Sequence, residues 1–205
     1  MKTVPCVFCI MKAMPTLLSL QLAQARRVQI NGRSILTAHH KLPVTGRVAV
    51  MPLGLLGDDQ ADLSVHGGLD KAVYAYPSEH YPFWQAARAQ AGLTGIDDAL
   101  PFGSMGENLS LQGVLETDVW VGDVLRFAHC ALRVTQPREP CYKFNAAMGF
   151  NTASKLMAQH GHCGFYLAVD EPGDLSAGES FELVPGPRRL SIPASFNAKM
   201  FKHLR

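Results

Sequence analysis

Two short runs, Arg27-Val28-Gln29-Ile30 and Arg33-Ser34-Ile35-Leu36, alternate polar and apolar residues on either side of Asn31-Gly32. Alternation at period two marks half-buried strands, and Asn-Gly supplies the positive φ angles of a tight hairpin turn. The domain is therefore expected to open in β-structure. Further strands are predicted at Arg47 to Met51, Ala72 to Tyr76, Val119 to Val121, Val124 to Phe127, Ala131 to Thr135, Phe165 to Val169 and Phe181 to Val184, separated by Gly, Pro and Asp turns. Two helices interrupt the series. One follows Ser78, with Pro82 in its opening turns and Gly92 as its stop; the other runs from about Thr152 to His160 and is closed by Gly161. This spacing fits a mainly β fold, a mostly antiparallel β-barrel with a few peripheral helices. The barrel is expected over residues 27–187, with residues 1–26 an amino-terminal extension or first strand, partly disordered, and residues 188–205 a short tail.

A chain of 205 residues without repeat or composition break predicts one domain. With 47% hydrophobic and 18% charged residues, it can bury a core without disulfide or metal staples. A formal net charge of +2, with no run of Lys or Arg on one predicted face, argues against a nucleic-acid polymer as partner. Lys12, Gln21, Gln24 and Arg26 interrupt the one apolar stretch near the amino terminus, which argues against a membrane span. That stretch also has the outline of a secretory signal, with Lys12 before Leu17, Leu18 and Leu20 and Ala23-Gln24-Ala25 behind them, but its apolar part is short and interrupted. The reading preferred here is an upstream extension, with Met11 or Met14 as the functional start. Five irregularly spaced cysteines fit reduced thiols and a cytoplasmic location. Cys6 and Cys9 form a C-x-x-C without a second pair, and Cys130 and Cys163 are expected in the core as small hydrophobes.

Chemistry concentrates in three Gly- or Pro-rich segments next to predicted strands, and all three can meet at one rim. They are His66 to Lys71, Phe102 to Leu109 and Gln136 to Lys143. In the third, Pro140 fixes the approach to Cys141, and Arg138 and Lys143 are cations that favour thiolate over thiol, making the sulfur a nucleophile and a soft metal ligand. In the first, Gly67-Gly68 lets the backbone approach an anion, Lys71 adds positive charge, and Asp70 can orient His66 or Lys71. Glu107 and Asn108 can hydrogen-bond a heterocycle edge, or simply form a turn. His80, Tyr81 and Trp84 share a helix face, with Trp84 expected in the core. A zinc site from His66, His80 and Cys141 matches no known ligand spacing.

Together, Asp58 to Trp84, Phe102 to Gly113 (FGSMGENLSLQG) and Gln136 to Phe144 (QPREPCYKF) resemble the MOSC family, named for the carboxy-terminal domain of molybdenum-cofactor sulfurases, and within it the stand-alone YiiM-type branch. The similarity runs from about Ile35 to about Pro185. It implies a β-barrel in which Cys141 ligates molybdenum or sulfur, and a role like that of the YiiM type in detoxifying N-hydroxylated base analogues. Related eukaryotic amidoxime reductases hold a molybdenum cofactor through the equivalent thiolate. The YiiM type continues into a helical carboxy-terminal region, whereas here a short tail ends at Arg205.

On that resemblance the expected reaction is two-electron reduction of N–OH to N–H. Cys141 serves as metal ligand, Arg138, Lys143 and Lys71 hold the anionic phosphate of the molybdenum cofactor, Asn108 contributes to cofactor binding, and His66 or Asp70 supplies protons. No G-x-G-x-x-G follows a strand, so the electrons are expected from a separate reductase. Two alternatives stay open: a persulfide on Cys141 for sulfur transfer, and a non-catalytic module that carries the cofactor to another protein.

Overall fold

The amino-terminal segment contributes a strand, Thr16–Leu22 (β1), well inside the main sheet. Leu17, Leu20 and Gln21 are fully buried, and the pairing slips between Leu17 and Ser19. That bulge breaks the period-two alternation by which a strand is recognised in sequence. The computed structural model describes residues 13–30, 32–61, 67–93 and 99–201. After β1 come Arg26–Ile30 (β2), Arg33–Thr37 (β3), Leu42–Pro43 (β4), Val48–Met51 (β5), Gly54–Leu55 (β6), Val73–Pro77 (β7) and Leu109–Gln112 (β8). Val124–Arg126 (β9), Ala131–Pro137 (β10), Phe165–Glu171 (β11), Gly173–Leu175 (β12) and Glu182–Val184 (β13) complete the strands. The helices are Tyr81–Gln90 (α1), Tyr142–Met148 (α2), Ala153–His160 (α3) and Ile192–Met200 (α4).

Eight strands form one sheet in the order β13-β9-β10-β11-β7-β8-β1-β4, antiparallel except for the parallel pair β7–β8. β5, β6 and β12 make a small second sheet, and β2–β3 stand apart as the hairpin predicted from Asn31-Gly32. The main sheet curls until the start of β1 meets the segment before β13. Leu17 N donates to Glu179 O (2.9 Å), Gly178 N to Leu17 O (2.7 Å) and Phe181 N to Pro15 O (3.0 Å), around an isolated bridge between Thr16 and Ser180. The fold is mainly β with few helices, as expected, but the seam of the anticipated barrel is this bridge, not a continuous ladder.

β7 is buried along its whole length, which matches its unbroken apolar run in the middle of the sheet. Trp84 of α1 lies over it and donates from Nε1 to the Tyr76 hydroxyl (2.6 Å). His80 precedes α1 and bonds Glu116 through Nε2 (2.7 Å). The segment taken as a tail contains α4, capped by Ser191 and with Ile192 and Phe196 buried. Val119 to Val121 is not a strand, because only Trp120 pairs, with Ser191 ahead of α4. Cys130 and Cys163 are buried. Cys6, Cys9 and His66 lie outside the described residues.

Candidate functional site

Because β7 and β8 run parallel, the segments leading into them enter at the same end of the sheet. Gly67 and Lys71 come from the first and Gly106 and Asn108 from the second, and both meet Arg138, Cys141 and Lys143, which follow β10. The three sequence segments thus share one open pocket. Its floor is the sheet face bearing Tyr74 and Tyr166, opposed residues in the β7–β11 register with ring centroids 5.3 Å apart.

Cys141 has extended backbone angles (φ −136°, ψ 168°) and immediately precedes α2, so the segment read as a loop to Lys143 becomes helical at Tyr142. Its carbonyl accepts from the Ser154 hydroxyl (2.8 Å) of α3 and from Phe144 N (3.0 Å). These bonds anchor the residue's backbone while the side chain stays partly open on the pocket wall.

Arg138 is the site's unusual charge. It is 4% exposed, and its guanidinium lies over the rings of Tyr74 (5.3 Å) and Phe144 (5.0 Å), with Nη1 on Met157 Sδ (3.5 Å). Cation–π contacts offset part of the cost of burying a guanidinium. Among the described residues no carboxylate pairs with it. A buried cation without a counter-ion gains from any anion that reaches it. Lys71 lies over the Tyr166 ring (5.7 Å), and Lys143 Nζ donates to Leu36 O (3.5 Å). With Lys41, four cations face two carboxylates, Asp58 and Asp59, on the pocket lining.

Three of the anticipated polar residues are placed differently from the sequence reading. Glu107 is fully buried and accepts from Gly103 N (2.8 Å), Met105 N (3.1 Å), Ser110 Oγ (2.8 Å) and the Tyr81 hydroxyl. It clasps its own glycine-rich loop and presents nothing to a heterocycle. Asn108 reaches the pocket, but its Oδ1 accepts from Tyr74 N (3.1 Å) and its Nδ2 donates to Gln21 O (3.2 Å) and Asp58 Oδ2 (2.9 Å). Its amide ties three strands' worth of backbone to the site. Asp70 is exposed and absent from the pocket lining, where only its carbonyl is engaged, by the Thr135 hydroxyl (2.5 Å).

Sequence reasoning missed a fourth wall, residues 37–41 with Asp58. Lys41 and Asp58 form an ion pair with side chains 7% and 4% exposed, and Asp58 also accepts from Ala23 N (2.8 Å). His39 packs so closely that a Cβ on Gly106 would sit 2.6 Å from its Nδ1. Burial, followed by the charges of Arg138 and His40, pulls the His39 imidazole down to about 3. The Asp58 end of the family-like segment was visible, but a lysine and a histidine between two strands carry no spacing signal of their own.

A family model described as the MOSC domain matches residues 62–182. The chain is 36% identical over 178 residues to the uncharacterized protein YflK of Bacillus subtilis, covering 86% of this chain and 77% of that one. It is 38% identical over 144 residues to the protein YiiM of Escherichia coli, covering 70% of this chain and 62% of that one. The crystal structure of YiiM from Geobacillus stearothermophilus superposes with a TM-score of 0.72 at 28% identity, over 93% of this chain and 86% of that one. The chain belongs to the MOSC domain family, in its YiiM-type branch.

Proposed function

We propose that the pocket binds a molybdenum cofactor through the Cys141 thiolate and reduces N-hydroxylated compounds, base analogues among them. The observation that carries this reading is the sharing of one pocket by Cys141 and the buried, carboxylate-free Arg138. The residues fit the group: a partly open thiol suits a soft redox metal, and a guanidinium with two flanking lysines suits an anionic phosphate. Lys71, Arg138 and Lys143 would hold the phosphate, and Cys141 the metal. Membership of the MOSC family supports the same cofactor.

When bound, the cofactor supplies a two-electron redox centre for the balanced conversion R–NHOH + 2e⁻ + 2H⁺ → R–NH₂ + H₂O. The chain's own part is to bind, orient and protonate. Ser154 and α2 fix the Cys141 backbone, and the Asp58–Lys41–Asn108 cluster holds the opposite wall in place. His66, next to Gly67 on the pocket lining, is the proposed proton source; Asp70, exposed and outside that lining, takes no part. The electrons come from a separate reductase.

The test is conversion of N4-hydroxycytosine to cytosine by cofactor-loaded protein with a chemically reduced viologen as donor. Turnover that is lost in Cys141→Ala supports the proposal. Absence of turnover in the wild type, with cyanide-labile sulfur on Cys141, would replace it by sulfur transfer.

A further inference from the structure

His39 has an unmet hydrogen bond on the wall of the Cys141 pocket. Its Nε2 is closed to bulk water and has no partner among the described residues. The other edge of the ring is fixed, with Nδ1 against Gly106 and the Ser104 backbone in hydrogen-bonding reach of the ring. Since Nε2 makes no such bond, the bond to Ser104 is made by Nδ1, which must then carry the proton. The face of the ring is tilted on Phe144, with centroids 6.3 Å apart. A neutral imidazole protonated on Nδ1 is a pure acceptor at Nε2. The ring stays neutral near pH 7, because burial and the nearby Arg138 charge oppose its protonation.

A buried acceptor beside a guanidinium discriminates between ligands. An N–OH group brings a donor that Nε2 can accept, while an N-oxide or an O-alkylated N–O group brings only lone pairs. A site built to bond a ligand O–H or N–H rejects analogues lacking it far more strongly than an apolar pocket rejects a missing methylene.

We propose that His39 Nε2 is the acceptor that restricts this pocket to N–O compounds carrying their own O–H or N–H donor, such as hydroxylamines, oximes and amidoximes, and excludes N-oxides and O-alkyl ethers. This inference rests on the N–OH reading of the site and names its substrate class. His39 acts as a specificity residue; the reduction itself is assigned to the Cys141 centre.

The probes are N-hydroxypiperidine, N-methoxypiperidine and N-methylpiperidine N-oxide, which share a ring and differ in the donor. Dissociation constants are measured by ligand-observed NMR on the purified protein at pH 7, and KM and kcat on the cofactor-loaded protein. The wild type is expected to bind the N-hydroxy compound at least about tenfold more tightly than either analogue. His39→Phe, which has no acceptor, is expected to level the three affinities and raise KM with little change in kcat. His39→Gln keeps an acceptor oxygen and is expected to retain most of the preference, which separates lost recognition from lost folding. If the wild type binds and reduces N-hydroxypiperidine while His39→Phe keeps the preference, the role of His39 is overturned and the N–OH reading stands. If the wild type neither prefers nor reduces it, both fall.

Discussion

Replacing Asp58 by Ala is expected to cost more stability than any other single polar change at the site. The carboxylate, with its side chain 4% exposed, compensates the Lys41 ammonium and accepts from Ala23 N and Asn108 Nδ2. Removing one partner of a buried ion pair costs about 3–5 kcal/mol, because the other charge is left without compensation. Two buried donors also lose their acceptor, at roughly 1–3 kcal/mol each when nothing replaces it. These losses do not add, since all three groups share one network. Lys41 has an escape as well: burial pulls its pKa down and Asp58 pulls it back up, so without Asp58 the amine sheds its proton and limits the damage. The net expectation is a loss of about 4 kcal/mol, a large part of the 5–15 kcal/mol typical of a folded domain. Urea unfolding followed by far-ultraviolet circular dichroism at pH 7 and 25 °C measures it. The paired variant Lys41→Met with Asp58→Leu should recover at least half of the loss, because it removes both charges and fills the space. A loss below about 1 kcal/mol for Asp58→Ala, the range of a solvated surface pair, would refute the reasoning.

Thiol labelling at pH 8 with peptide mapping should modify Cys141 well before Cys130 and Cys163. Both of those are closed, and burial pushes Cys130 up to about 12 and Cys163 well above the usual thiol range. Gly106→Ala should destabilise by roughly 1–3 kcal/mol, read from the urea midpoint, because φ is +81° and the added methyl carbon would lie 2.6 Å from His39 Nδ1. Acid should weaken the fold early. His39 is held down to about 3 and His162 to about 4, each mainly by burial, so the unfolded chain binds protons that the folded one refuses. Their contribution is complete above the ordinary histidine pKa of about 6.5 and declines as pH falls towards 4 and then 3. A loss on the order of 2 kcal/mol between pH 7 and pH 5 is expected after discounting the half-open His162, and His39→Gln should reduce that slope. An unchanged slope would mean that His39 titrates as it does in water.

What could be read from the chain was whatever local periodicity and turn chemistry determine. The Asn31-Gly32 hairpin, α1 between Ser78 and Gly92, and α3 closed by Gly161 with φ +72° are all present, because each is fixed by residues close in sequence. β1 escaped notice because its bulge puts Leu20 and Gln21 inside together. α2 was hidden by Pro140 and Cys141, which resemble a turn until Ser154, thirteen residues on, captures the Cys141 carbonyl. At the site, Cys141, Arg138, Lys71 and Lys143 were legible from flanking charges and from the MOSC resemblance, and the structure brings them to one pocket. The Lys41–Asp58 pair joins residues 17 apart across β4, β5 and β6, and His39 owes its position to a glycine on another loop. Such contacts are set by tertiary packing, and no window of sequence contains both partners' roles.

The central claim is that Cys141 holds a molybdenum cofactor. It is tested most directly by the molybdenum and pterin content of wild-type and Cys141→Ala protein, each purified anaerobically from a host that makes the cofactor. Near-stoichiometric molybdenum in the wild type, lost in Cys141→Ala while circular dichroism shows both folded, is the result predicted here. Equal molybdenum and pterin in the two proteins, or none in either, would contradict it.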